Sequence, residues 1–183
     1  TNWSEETNLP AANLTGTLPA IDGSNLTGVS GGKVLQTIVS DIKTSRSSTT
    51  STTLAIIDSG WGAAITPTAT SSKILIQVMF QYHQQGTNGQ LGRMSLDRNG
   101  TDIAPGASHS YPQGIFHASV VDANTQWQTG NLLYLDSPNT TSAMTYKPSW
   151  AWESGTSGTT WTIGLSSGAS DGYNLIILTE IGA

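Results

Sequence analysis

The fold is decided by the stretch KILIQVMFQYH, residues 73–83. Its apolar residues occupy every second position from Ile74 to Tyr82, and polar residues such as Gln77 and Gln81 fall between them. Successive side chains of a strand point to opposite faces of a sheet, so this period of two predicts a β-strand with one buried face.

Nine further segments have the composition of short strands, and turn residues separate them. Arg98-Asn99-Gly100-Thr101 is typical of a two-residue β-hairpin. No stretch longer than a turn has helical spacing, which favours an antiparallel sandwich or barrel. We therefore predict an all-β fold, an antiparallel and jelly-roll-like β-sandwich. The predicted strands are residues 34–39, 52–57, 63–66, 91–97, 115–121, 131–136, 144–152, 160–165 and 173–181.

The composition excludes several classes of function. The chain has 183 residues, only 10% of them charged, a net charge of −5 and 49 Ser and Thr residues. This acidic balance is unfavourable for binding nucleic acid or an anionic membrane. Without cysteine there is no disulfide framework or thiolate metal site. No apolar run approaches the roughly 20 residues of a membrane helix, and no signal peptide is visible, so we expect no membrane insertion. The sequence contains neither a P-loop nor a dinucleotide fingerprint, and we expect no cofactor.

The first 32 residues differ from the rest. A pattern L-P-A…N-L-T-G occurs at residues 9–16 and again at 18–28. Its prolines exclude a helix, and the repeat is too short to bury its own leucines. Three chains wound together would bury them, whereas a single chain would form a linker. We predict a stalk or linker over residues 1–32 and a β-sandwich head over residues 33–183.

Two predicted strands are apolar on both faces. They contain Val34 and Leu35 near the start of the head, and Ile176 and Leu178 near its end. Such strands in an antiparallel sandwich need a second covering layer, and in the absence of helices we expect another subunit to supply it. The alternative is a central strand whose outer face is simply apolar. We therefore predict these four residues at a trimer interface.

Taken together, the repeat, the TPTATSSKILI run at 66–76, the SLDRNGTDI hairpin at 95–103, Thr145-Tyr146-Lys147 and the closing ILTEI at 177–181 resemble bacteriophage tail-fibre proteins. The resemblance is to the receptor-binding fibre tips of marine and cyanobacterial tailed phages. The resemblance implies a homotrimer in the virion, with a stalk that joins other tail proteins and a β-sandwich head that binds a host surface glycan or protein.

Catalytic and metal-binding patterns are weak. The GASDG sequence at 168–172 matches a nucleophile elbow, but a strand rather than a helix follows it. His83, His109 and His117 lack the spacing of a metal site. Candidate carboxylates for glycoside cleavage are not placed by the sequence; they are Asp97, Asp102, Asp122, Asp136, Glu153 and Glu180. We predict a binding protein and no enzyme; a glycan hydrolase or deacetylase, or a passive decoration protein, is the alternative.

The aromatic residues fall into two groups. Tyr146, Trp150 and Trp152 share one strand face, and with Trp161 they predict a cross-strand structural cluster. Tyr111 and Trp127 instead lie in polar segments predicted as loops, where binding residues concentrate. Those segments are 84–90, 104–114 and 122–128, with His83 and His109 close by. Their neutral amides and hydroxyls suit a neutral or weakly charged glycan, so we predict ligand binding by Tyr111, Trp127, His109 and His83.

Overall fold

The computed structural model describes residues 33–86, 91–104, 115–120, 127–152, 160–164 and 174–182. The chain divides into two units, Thr1–Gly31 and Gly32–Ala183, and all described residues belong to the second. Within them every regular element is a β-strand and every strand pair is antiparallel, which confirms the predicted all-β class. The repeat in residues 1–32 lies outside the described residues. No helix in the described part of the chain is long and apolar enough to cross a membrane.

The described strands form two six-stranded sheets. The first sheet contains β1 (Lys33–Val39), β2 (Ser47–Thr49), β5 (Lys73–Gln85), β9 (Trp127–Asp136), β11 (Thr160–Ile163) and β12 (Leu175–Gly182). The second contains β3 (Ala55–Ile56), β4 (Ala63–Ile65), β6 (Leu91–Arg98), β7 (Thr101–Asp102), β8 (Phe116–Ser119) and β10 (Met144–Trp152).

Strand β5, the decisive stretch of the sequence, organises the first sheet. One of its edges pairs with β9 from Ile74 to His83. Its other edge pairs with β12 over Lys73 to Met79 and then with β11 over Tyr82 to Gln85. Strand β1 lies outside β12, and β2 lies outside β11. The length of β5, 13 residues, lets two shorter strands share one edge.

The second sheet is organised around β10 in a similar way. One edge of β10 pairs with β6, and the other pairs with β4 and then β3. Beyond β6, the short strands β8 and β7 share its second edge. The alternation in β10 fails near its end, where residues 148–152 are all buried, so both faces of the sheet are covered at this segment.

Aromatic side chains hold the two sheets against each other, an arrangement consistent with a β-sandwich. The ring of Trp161 on β11 lies 5.7 Å from Trp150 and 6.1 Å from Trp152 on β10, between ring centroids. Because β11 pairs with β5 and not with β10, this predicted cluster packs across the two sheets instead of across neighbouring strands. Phe116 of the second sheet adds an edge-on contact with Phe80 of the first, at 5.0 Å.

The predicted hairpin at Arg98–Thr101 is confirmed. Arg98 pairs with Thr101, and the two residues between them have positive φ, 52° at Asn99 and 89° at Gly100. This is the type I′ geometry that matches the twist of the two strands. Strand β2, by contrast, was not predicted, because Ser47, Ser48 and Thr49 have no apolar alternation and pair only with β11.

Candidate functional site

Two of the predicted site residues, His83 and Trp127, are direct cross-strand partners. They pair in register between β5 and β9, close to the end of both strands. Their rings stack with centroids 4.8 Å apart and an interplanar angle of 27°. Trp127 therefore begins a strand, and the prediction that it lies in a loop is wrong. The strand fixes the direction of the indole ring, which a loop does not do as strictly.

A third residue, Arg46, completes this group. It lies directly before β2 and after the bend at Ser45, and the carbon of its guanidinium lies 5.9 Å from the centroid of the Trp127 ring. This distance falls within the range of cation–π attraction. We call Arg46, His83 and Trp127 the aromatic platform. Nothing in the sequence brings Arg46 to His83 and Trp127, because the contact depends on how β2 is placed beside β11.

The charge of the platform is set by Arg46. Partial burial lowers the pKa of His83 below its usual 6.5, and the positive charge of Arg46 lowers it further. His83 is therefore neutral near pH 7, with one ring nitrogen that donates and one that accepts a hydrogen bond. By strand alternation the neighbours on this side of β5 and β9 are uncharged: Gln81, Gln85 and Thr129.

The platform lies far from the end at which the chain enters this domain. Lys33 pairs with Gly182, and Ile181 pairs with Lys73 at the start of β5. His83 lies ten residues further along β5, which corresponds to about 33 Å of strand. The predicted residues Tyr111 and His109, and most of the three predicted binding segments, lie outside the described residues.

Between the two ends, the outer face of the first sheet is apolar. Exposed fractions reach 58% at Val39, 59% at Leu133 and 47% at Leu135, residues carried by β1 and β9. Strands β5 and β12 lie between them, so the patch crosses four adjacent strands. Polar side chains of Thr37, Gln77 and Thr179 lie among the apolar ones on this side of the sheet. We call this the apolar face; its apolar members are Val34, Val39, Leu75, Met79, Leu133, Leu135, Leu175, Ile177 and Ile181.

The predicted interface residues divide between the two sides of the sheet. Val34 and Leu35 on β1 are exposed, at 60% and 37%. Ile176 and Leu178 have no exposed surface, because they point into the core between the sheets. The monomer already covers these two side chains, so a second subunit would instead meet their strand neighbours Leu175 and Ile177.

A separate polar cleft of about 290 Å³ lies beside the loop that leads into β4. Lys43, which is buried, forms an ion pair with Asp58 and donates a hydrogen bond of 2.6 Å to the hydroxyl of Ser45. The bond from Lys43 and the amide of Gly60 lower the pKa of Asp58. Lys43 is the donor in its contacts with both Asp58 and Ser45, and these contacts tie the two loop segments together.

The candidate carboxylates in the described ranges are held in hydrogen bonds. Asp136 accepts bonds from Arg98 and from the hydroxyl of Tyr146. Glu180 accepts bonds from Gln36 and Thr68, and Asp102 accepts one from Ser95. The described ranges contain no group of three or more His, Asp or Glu residues placed to hold a metal ion. Asp122, Glu153 and the GASDG sequence lie outside those ranges.

Comparison with known proteins gives no family. No protein-family model matches this chain. No curated protein matches it. Function is therefore inferred from the geometry of the platform and of the apolar face.

Proposed function

We propose that this chain is the tip of a phage tail fibre, a homotrimer that attaches the virion to a host by binding a surface glycan. The observation that carries the proposal is the aromatic platform. It places a strand-anchored Trp127 about 33 Å along the sheet from Lys33, the point at which the chain enters the domain. A ligand bound there would contact the domain at the end opposite Lys33, where the chain enters.

The chemistry of the platform suits a sugar. An indole ring stacks on the apolar face of a pyranose, while neighbouring polar groups bind its hydroxyls. Neutral His83 and the amides of Gln81 and Gln85 provide both donors and acceptors. Stacking between His83 and Trp127, with Arg46 above, fixes the orientation of the indole before a ligand binds, which reduces the entropy lost on binding.

The apolar face supports assembly into a homotrimer. Monomeric proteins rarely expose a continuous apolar patch that crosses four strands, and such patches mark sites of protein contact. Strands β1 and β9 lie at opposite sides of this face, and among the described residues each pairs with one strand. Around a three-fold axis, one part of this face on each copy would contact a different part of the face on the next copy, and three such contacts close the ring.

Glycan binding by three identical sites also explains how a modest site can attach a virion. A platform of three side chains binds a sugar weakly. Three copies held on one trimer raise the overall affinity by two to four orders of magnitude when they bind the same surface. We propose a binding role without catalysis or a cofactor, in a virion protein that reaches other tail components through residues 1–32.

The test is adsorption of the fluorescently labelled protein to a panel of marine bacteria, cyanobacteria included. We expect the unmodified protein to bind at least one strain, and Trp127→Ala and His83→Ala to lose most of that binding. Ser119→Ala, on an exposed position of the second sheet, is the matched control and should bind normally. If Trp127→Ala keeps its melting temperature and adsorbs as well as the parent, attachment does not use the platform and the proposal is wrong.

A further inference from the structure

Arg46 differs from the other two arginines of the chain. Arg98 is paired with Asp136, and Arg93 is buried and has interaction partners. Arg46 is exposed, and its guanidinium forms neither a salt bridge nor a hydrogen bond with any residue in the described ranges. Within the described ranges, the guanidinium of Arg46 contacts the ring of Trp127.

An unpaired guanidinium at this position is unusual for a chain of net charge −5 with only three arginines. The side chains that face the same side of β5 and β9 beside it are neutral. The cation helps to orient the Trp127 ring, but amides and hydroxyls alone suffice to bind the hydroxyls of a neutral sugar. A guanidinium presents a planar fork of donors that matches a carboxylate and binds it through two parallel hydrogen bonds.

We infer that the glycan bound at the platform is acidic, a uronic acid polymer, and that Arg46 binds the carboxylate of the sugar that stacks on Trp127. This inference rests on the proposed function and revises the expectation of a neutral glycan. The guanidinium lies over the Trp127 ring, with 5.9 Å between its carbon and the indole centroid, so a sugar that binds at this ring meets the cation. Because His83 is neutral, Arg46 is the positive charge of the platform that selects the ligand.

The experiment measures binding of the full chain to four polymers by affinity electrophoresis and calorimetry. Polygalacturonate and alginate carry carboxylates, dextran sulfate carries sulfates, and dextran is neutral. We expect the parent to bind at least one polyuronate about tenfold or more tightly than dextran. Removing a charge-assisted hydrogen bond weakens binding by roughly 10- to 100-fold, so Arg46→Gln should lose that much affinity for the polyuronate. The affinity of Arg46→Lys for the polyuronate should lie between those of the parent and of Arg46→Gln, because lysine keeps the positive charge but not the planar fork of donors.

Lys73→Gln is the matched control, because it removes the same charge from an exposed residue at the other end of β5. We expect it to stay within twofold of the parent. Equal losses in Arg46→Gln and Lys73→Gln would mean that only overall charge matters and would overturn the inference. So would tighter binding of dextran or dextran sulfate than of both polyuronates, or no binding of either polyuronate.

Adsorption to cells separates this inference from the proposed function. If Trp127→Ala loses adsorption while Arg46→Gln keeps it, attachment at the platform stands and selection of an acidic sugar is wrong. If Trp127→Ala keeps adsorption as well, the proposed function itself has failed.

Discussion

Glu180 shows how a buried charge is stabilised at a single residue. Its side chain on β12 has no exposed surface, and its carboxylate accepts hydrogen bonds of 2.6 Å from Gln36 and 2.7 Å from both the amide and the hydroxyl of Thr68. Burial alone would raise the pKa of Glu180. The hydrogen bonds outweigh burial and lower this pKa from 4.5 to about 2.

This lowered pKa predicts a loss of stability in acid. The unfolded chain takes up a proton at Glu180 before the folded chain does, so the contribution of Glu180 is complete above about pH 5 and declines towards pH 2. Glu180→Gln should lower the free energy of unfolding at pH 7 by about 2 kcal/mol and flatten its dependence on pH between 5 and 2. Urea denaturation at several pH values measures both effects. The control Asp41→Asn, at an exposed carboxylate, should leave the curve of the parent unchanged. A Glu180→Gln curve as steep as that of the parent would contradict the assignment.

Gly92 makes room for the central tryptophan of the core. A Cβ atom at this position would lie 2.6 Å from Cε3 of Trp161 and 2.6 Å from Nε2 of Gln84. Trp161 has no exposed surface and cannot move outward. We expect Gly92→Ala to destabilise the domain by about 1–3 kcal/mol, as overpacked cores do. Combining it with Trp161→Phe should cost less than the sum of the two single changes, a coupling measured in a double-mutant cycle. Strict additivity would show that the two residues do not compete for space.

At the level of single residues, the sequence predicted His83 and Trp127 as binding candidates but not their contact. Both were recognised by residue type, whereas their pairing follows from the register of β5 and β9. No feature of the sequence marks Arg46 as a binding residue, because a polar segment before a Ser/Thr strand resembles any other turn. Leu133 and Leu135 could have been found: the run Leu132–Leu135 is apolar on both faces, the same pattern that was recognised in β12.

The hairpin between β6 and β7 is an element whose sequence and conformation agree. Gly100 has a φ of 89°, and no atom lies within 4 Å of the position of a Cβ there, so steric crowding plays no part. Gly100→Ala should therefore cost about 1 kcal/mol of stability through backbone strain alone. Gly60→Ala, in an exposed turn where a Cβ meets only Asp58 at 3.4 Å, is the control and should cost less. Equal melting temperatures of the two variants would contradict this explanation.

At the level of elements, strands with strong alternation were predictable and short polar ones were not. Strands β5 and β10 have apolar residues at alternate positions that face the core, so their local pattern and tertiary position agree. Which strands belong to which sheet was harder to predict from the sequence. Strands β10 and β11 are neighbours in sequence, yet they belong to different sheets, because β5 and not β10 offers the free edge that β11 occupies.

For the whole molecule, the apolar face predicts the effect of charge on assembly. Leu133→Glu and Leu135→Glu place a carboxylate where a second copy would bury it without a partner. Because these side chains are 59% and 47% exposed, the fold itself should survive. We expect light scattering to give about three times 19.2 kDa for the parent and 19.2 kDa for the double variant, with similar circular dichroism.

Thr129→Glu provides the control for that experiment. It introduces a carboxylate on the same exposed side of β9, at a polar position that pairs with Gln81 and lies outside the apolar face. It should remain trimeric. A parent that is itself a 19.2 kDa monomer would contradict the proposed assembly.

The position of β1 also determines how the domain responds to mechanical load. Force applied at Lys33 and opposed at Trp127 acts along the strands, so β1 is sheared against β12 and its backbone hydrogen bonds resist together. Force applied between Lys33 and Gly182, which face each other at the end of that ladder, instead opens the bonds one pair at a time. A single-molecule pulling experiment with handles at these two pairs of positions should give a higher rupture force in the first geometry. A tip loaded between virion and cell would then be pulled in its strongest direction.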